Sequence, residues 1–70
     1  MMQEIRVKRL CVVKGDPFLG TKDKFYFDVE SALDAGVPRG TWEYVDVLYV
    51  REATRERFFA LGEQITEVAH

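Results

Sequence analysis

Cysteine and histidine are nearly missing from this 70-residue sequence, which has one residue of each type, Cys11 and His70. A single cysteine cannot form a disulfide within the chain. A structural zinc ion usually takes four thiolate or imidazole ligands, and the chain offers two. We therefore expect no disulfide, metal or other cofactor. A domain this small must then be stabilised by its packing or by assembly.

The same scarcity limits nucleophilic catalysis, because a serine or cysteine nucleophile needs a base within hydrogen-bonding distance. His70 is the last residue, and chain ends are commonly frayed. Cys11 lies in an apolar run, where a thiol usually behaves as a small buried hydrophobic group. No glycine-rich phosphate loop of a known type is present. We expect a protein that is not an enzyme by itself, with Asp46 as a carboxylate that a second chain could complete.

Long apolar runs are also missing, since no stretch of about 18 apolar residues could form a membrane span. The first six residues contain a glutamate and lack the apolar segment of a secretion signal. Hydrophobic residues make up 47% and charged residues 31%, the balance of a folded soluble domain. These features predict one compact domain over residues 1–70, located in the cytoplasm and without a membrane partner.

Two strands and a short helix are predicted for the first half of the chain. Residues 5–14 and 24–29 are rich in β-branched and aromatic residues, and the intervening glycines and Asp16-Pro17 indicate a loop, so a hairpin is expected. Asp28 is a suitable cap for a helix over residues 29–35, which Gly36 would end.

The second half is predicted to contain one strand and one helix. Residues 41–50 have the aromatic and β-branched composition of a central strand. A helix capped at Thr41 is the alternative interpretation of that segment. From about Ala53 the apolar residues recur at helical spacing, namely Phe58, Leu61, Ile65 and Val68. The resulting fold class is α+β, a β-β-α-β-α domain with a three-stranded, mainly antiparallel sheet and two helices.

The apolar alternation in the first strand changes phase partway along. Ile5 and Val7 would lie on one face, but Leu10 and Val12 have the opposite parity. A bulge near Lys8, or burial on both faces in the later part of the strand, would explain the change.

Basic residues concentrate near the start of the chain. Bases outnumber acids up to residue 27 and acids outnumber bases afterwards, although the net charge is only −2. Basic residues on a hairpin, interleaved with aromatic ones, could bind nucleic acid. They also commonly protect an exposed strand edge. The candidate nucleic-acid contacts are Arg6, Lys8, Lys14, Lys22 and Lys24.

Aromatic residues favour a protein partner instead. The five phenylalanines, three tyrosines and one tryptophan are more than one helix layer over a three-stranded sheet readily covers, unless the two helices cover opposite faces. Exposed aromatic residues are common in protein interfaces. The candidate anchors are Phe18 at the hairpin tip, Tyr26, Trp42 and Tyr44, although each could instead belong to the core.

The leading hypothesis is a small interaction module that occupies the surface of another protein, or of its own copy in a homodimer. Such a module would act as a regulator or inhibitor, of the kind that phages and mobile elements encode. The alternative is a nucleic-acid-binding protein that uses the basic hairpin.

Overall fold

The computed structural model describes residues 2–70. The elements in chain order are β1 (Gln3–Val13), β2 (Lys24–Tyr26), α1 (Val29–Asp34), β3 (Glu43–Glu52), β4 (Arg55–Ala60), β5 (Glu63–Ile65) and β6 (Val68–Ala69). The strands form one six-stranded sheet in the order β5-β4-β3-β1-β2-β6. All neighbours are antiparallel except β2 and β6, which run parallel.

The longest pairing in the sheet joins β1 to β3. Its register runs without interruption from Gln3 opposite Glu52 to Val12 opposite Glu43. The two strands therefore form a central ribbon. The short strands β4 and β5 extend the sheet beyond β3, and β2 and β6 extend it beyond β1.

The sheet is curled, and the chain itself explains why. Strands β5 and β6 lie at opposite edges of the sheet, yet only Thr66 and Glu67 separate them in the sequence. Three peptide units span at most about 11 Å, so the two edges must approach one another. We call the enclosed side of the curled sheet the inner face and the opposite side the outer face.

The inner face carries the main hydrophobic cluster. Its buried members are Leu10, Val47, Tyr49 and Phe58, and partly buried residues from β2, β3, β4, β5 and β6 pack around them. The Phe58 ring is tilted against the Tyr49 ring with centroids 5.3 Å apart. All six strands therefore contribute to one small core, each through the residues that point to the inner face.

Helix α1 covers part of the outer face. Ala32 is fully buried against Cys11 and Tyr26, with Val29 and Trp42 packed nearby. The helix begins where the sequence predicts: the side chain of Asp28 accepts a hydrogen bond from the Ser31 amide at 2.8 Å. No helix in residues 2–70 has the length and apolar character needed to cross a membrane.

The predicted α+β class is wrong, because the structure is mostly β and has a single short helix. The strand predicted over residues 41–50 is confirmed as β3, shifted by about two residues, and the helical alternative capped at Thr41 is wrong. The second helix predicted from Ala53 is also wrong. Its residues form β4, β5 and β6.

Two tight turns explain why the helical spacing was misleading. Ala53 has a φ of 55° in the β3–β4 turn, and Leu61 and Gly62 have φ of 51° and 81° in the β4–β5 turn. These left-handed conformations do not occur within a helix. Phe58 and Ile65 face the same core because they are cross-strand partners, and Leu61 is exposed at the turn.

The change of phase in β1 reflects burial on both faces. The ladder to β3 contains no bulge. Leu10 and Val12 are buried on the inner face, and Cys11 between them is buried on the outer face under α1. Ile5 and Val7 lie on the outer face beyond α1 and remain exposed.

The β4–β5 turn provides a test of this fold. Gly62→Ala is expected to lower the free energy of unfolding by about 1 kcal/mol, because alanine is strained at positive φ. In a helix the same change would raise it by a similar amount. Chemical denaturation of the two proteins measures the difference.

Leu61→Asn is the companion variant. Asparagine tolerates a left-handed conformation, and Asn-Gly is a preferred two-residue hairpin turn, so the free energy of unfolding should stay the same or rise. A helix that buried Leu61 would lose about 2 kcal/mol or more. Stabilisation by Gly62→Ala together with destabilisation by Leu61→Asn would contradict the hairpin.

Candidate protein-binding site

The loop that joins β1 to β2 is held in one shape by hydrogen bonds around Asp16. The carbonyl of Asp16 accepts from the amides of Leu19 and Thr21 at 3.0 and 3.1 Å. Its carboxylate accepts from the Phe18 amide at 2.9 Å, and its own amide donates to Thr21 Oγ1 at 2.6 Å. Asp16 therefore organises a turn in which the backbone groups are paired locally.

The base of the same loop is closed by Asp23 and Gly15. Asp23 Oδ1 accepts a hydrogen bond from the Gly15 amide at 2.8 Å. That bond, together with nearby Lys14, holds the pKa of the Asp23 carboxyl below its usual value. Gly15 has no room for a side chain, because the backbone carbonyl of Thr21 lies against it.

Two apolar side chains extend from this ordered loop into solvent. Phe18 is 97% exposed and Leu19 is 77% exposed. We call these two residues the apolar tip. Binding residues are often carried on loops that a rigid scaffold positions, so the apolar tip is a candidate protein-binding site.

The other three proposed anchors lie together on the outer face, apart from the apolar tip. Tyr26 is buried beside Cys11 and α1, and Trp42 is half-buried against the same cluster. Tyr44 is exposed and is opposite Cys11 in the ladder. The indole nitrogen of Trp42 donates a hydrogen bond to the Tyr44 hydroxyl at 3.1 Å. Of the four proposed anchors, Phe18 and Tyr44 are exposed.

A second exposed apolar area follows the outer face of the ribbon beyond Tyr44. Val7 is opposite Leu48, which is opposite Phe59, so three strands contribute to one row. Val7 and Leu48 are exposed, as is Ile5 near the start of β1. The sequence pattern indicates that Ile5 and Val7 share one face of the strand but does not predict that they remain uncovered.

Two of the proposed nucleic-acid contacts lie on the inner face. The Arg6 guanidinium is 4.9 Å from the centre of the Tyr49 ring, and its Nε donates to Glu4 at 2.6 Å. The Lys8 ammonium is 4.2 Å from the centre of the Phe27 ring. The side chains of Arg6 and Lys8 therefore lie over aromatic rings of the main hydrophobic cluster.

The remaining basic residues lie on and beside the loop. Lys14 forms an ion pair with Asp23 at 3.4 Å. Lys22 and Lys24 are exposed, and Lys24 is opposite Val13, which places it on the outer face. The structure does not bring the five basic residues together on one surface.

The candidate chemical groups are separated from one another. Cys11 is buried, and this burial raises the pKa of its thiol. The His70 ring stacks on Phe27 with centroids 4.5 Å apart. Asp46 is exposed and accepts a hydrogen bond from Arg9 Nε at 3.0 Å. Within residues 2–70, no three potential ligands of the His, Cys, Asp or Glu type cluster around a common metal position.

Comparison with known proteins gives no match to a protein-family model, to a curated protein or to a solved structure. The geometry of this chain is therefore the basis for its proposed function.

The loop's rigidity can be tested at Asp23. Asp23→Ala removes the acceptor for the Gly15 amide and is expected to lower the heteronuclear NOE of residues 16–21, measured by 15N relaxation. Asp23→Asn keeps an oxygen in the same place and is the matched control. Unchanged loop dynamics in Asp23→Ala would show that this bond does not order the loop.

The hydrogen bond from Gly15 to Asp23 also predicts how the order of the loop changes with pH. Because the pKa of Asp23 is lowered in the folded protein, its ordering contribution is complete above the ordinary value of 3.8. It is lost as the pH falls through the lowered pKa. The NOE of residues 16–21 should therefore decrease on acidification, and Asp23→Asn should show a smaller decrease than the unmodified chain.

Proposed function

We propose that this chain is a small protein-interaction module that inserts the apolar tip into a pocket of a partner protein. By occupying that pocket the module regulates or inhibits the partner. The observation that supports the proposal is the contrast within one loop. The backbone is fixed by a set of local hydrogen bonds, while the side chains of Phe18 and Leu19 are largely exposed to solvent.

The energetics favour a binding role for this arrangement. Burying a phenylalanine and a leucine in a partner would contribute about 1.5–3 kcal/mol each. An ordered loop loses little further conformational entropy on binding, so more of that free energy remains as affinity. The exposed side chain of Tyr44 lies elsewhere and is not required for this contact.

The nucleic-acid alternative lacks comparable support. Arg6 and Lys8 cover aromatic rings on the inner face, and Lys14 is paired with Asp23. Phosphate binding depends on several cations that face one backbone. The proposed compartment is the cytoplasm, in keeping with a lone buried thiol and no partner for it within the chain.

Replacement of the apolar tip tests the proposal. The double variant F18S/L19S is expected to bind the partner at least about thirtyfold more weakly, since about 2 kcal/mol or more of apolar contact is removed. The immobilised chain first captures proteins from lysate of the source cell. Calorimetry with the purified partner then gives the affinity.

Leu61→Ser is the matched control, because Leu61 is also a fully exposed apolar residue in a tight turn. It should leave the affinity unchanged. Both variants should unfold within about 0.5 kcal/mol of the unmodified chain, since the replaced side chains contact little. Equal binding by F18S/L19S and the unmodified chain would contradict the role of the tip.

A further inference from the structure

More than half of strand β1 has a free edge. On the side away from β3, β1 pairs with β2 only at Cys11, Val12 and Val13. Among residues 2–70, no other strand pairs with the segment from Gln3 to Arg9 on that side. A free edge of this length is a template for another strand.

The β3–β4 turn determines which peptide groups of β3 face β1. Ala53 and Thr54 form a two-residue turn, so the pair Glu52 and Arg55 that closes it is joined by hydrogen bonds. Peptide groups alternate in direction along an antiparallel strand. The backbone N–H and C=O groups of Glu52 therefore form hydrogen bonds with β4, and those of Arg51 form hydrogen bonds with β1.

Because each residue of β1 has a defined partner in β3, the same alternation applies to the peptide groups of β1. Glu4 is opposite Arg51, so the peptide groups of Glu4, Arg6 and Lys8 bond to β3. The N–H and C=O groups of Gln3, Ile5 and Val7 must then point to the free edge. The same parity gives Cys11 and Val13 their bonds to β2, which agrees with the observed pairing.

We propose that this edge binds the same edge of a second copy, antiparallel, around a two-fold axis at Ile5. Ile5 is then opposite Ile5 of the second copy, Gln3 is opposite Val7 of the second copy, and Val7 is opposite Gln3 of the second copy. These three pairs supply about six intermolecular backbone hydrogen bonds. A two-fold axis normal to the sheet keeps the inner faces of both copies on one side.

The charges of β1 favour this register over the two registers with the axis nearer to Val13. With the axis at Ile5, Glu4 of each copy is opposite Arg6 of the other copy, which gives two favourable pairs. With the axis at Arg6, the two Arg6 side chains would face each other. With the axis at Val7, Arg6 would be opposite Lys8. The Ile5 axis alone among these three avoids opposed like charges.

The same pairing brings exposed apolar residues of the ribbon into contact with those of the second copy. Ile5 is 58% exposed and Val7 is 69% exposed, and no other part of residues 2–70 covers them. In the dimer the two Ile5 side chains become cross-strand neighbours on the outer face. Such β-branched pairs stabilise a sheet.

The dimer would present two apolar tips. Strand β1 runs from the axis at Ile5 to Val13, where the loop begins, a length of about 27 Å. The two loops then lie roughly 50 Å apart at opposite ends of the joined ribbon. The dimer does not rest on the proposed function of the tip, and F18S/L19S should dimerise like the unmodified chain.

Sedimentation equilibrium between about 10 µM and about 1 mM tests the dimer in the full chain. The unmodified chain should associate to a dimer within this range. E4R and R6E should each raise the dissociation constant at least about tenfold, because each replacement opposes like charges twice. An equimolar mixture of the two variants should recover the dimer, since the E4R and R6E chains then complement each other.

Proline at Ile5 gives an independent test. Ile5→Pro removes the two central intermolecular hydrogen bonds and leaves the bonds to β3 intact, so the chain should fold and remain monomeric. Ile5→Thr keeps the amide and should still dimerise. Circular dichroism confirms that each variant is folded.

Three results would overturn the proposal. They are a monomer at every concentration, a dimer that Ile5→Pro leaves unchanged, and a mixture of E4R and R6E that associates no better than either variant alone. If Ile5→Pro does not fold, sedimentation of the E4R and R6E mixture still tests whether the dimer forms through this edge.

Discussion

The uninterrupted antiparallel ladder between β1 and β3 is the constraint on which the rest of the structure depends. It fixes which residues of both strands face the core, and so places Leu10, Val47 and Tyr49 together. It also fixes which peptide groups of β1 are already bonded. The exposed apolar row and the direction of the peptide groups at the free edge both follow from this register.

The core and the candidate binding residues are physically separate. The curled sheet encloses a small cluster, and the short link between β5 and β6 brings the edges of the sheet near each other. The apolar tip lies outside this cluster and is fixed by its own hydrogen bonds around Asp16. Binding residues can therefore change without loss of the fold, as is common for loops on a rigid scaffold.

Local patterns in the sequence predicted the local elements, and failed where tertiary pairing decides. Strands β1, β2 and β3 and the Asp28 cap were accessible because composition and turn residues specify them, whereas the sequence left open whether Phe18 is exposed or part of the core. The C-terminal strands were missed because Phe58, Ile65 and Val68 have helical spacing by coincidence. Leu61-Gly62 was the available turn signal. The sequence could not show that Tyr26 is covered by α1 or that Ile5 is uncovered.

Residue-specific amide hydrogen exchange along β1 tests the ladder most directly. It is measured by NMR at a concentration at which sedimentation shows a monomer. The register predicts alternation: the amides of Arg6 and Lys8 exchange at least about tenfold more slowly than those of Ile5 and Val7, because only the former are bonded to β3. Equal protection of these neighbouring amides would contradict the register and with it the free edge.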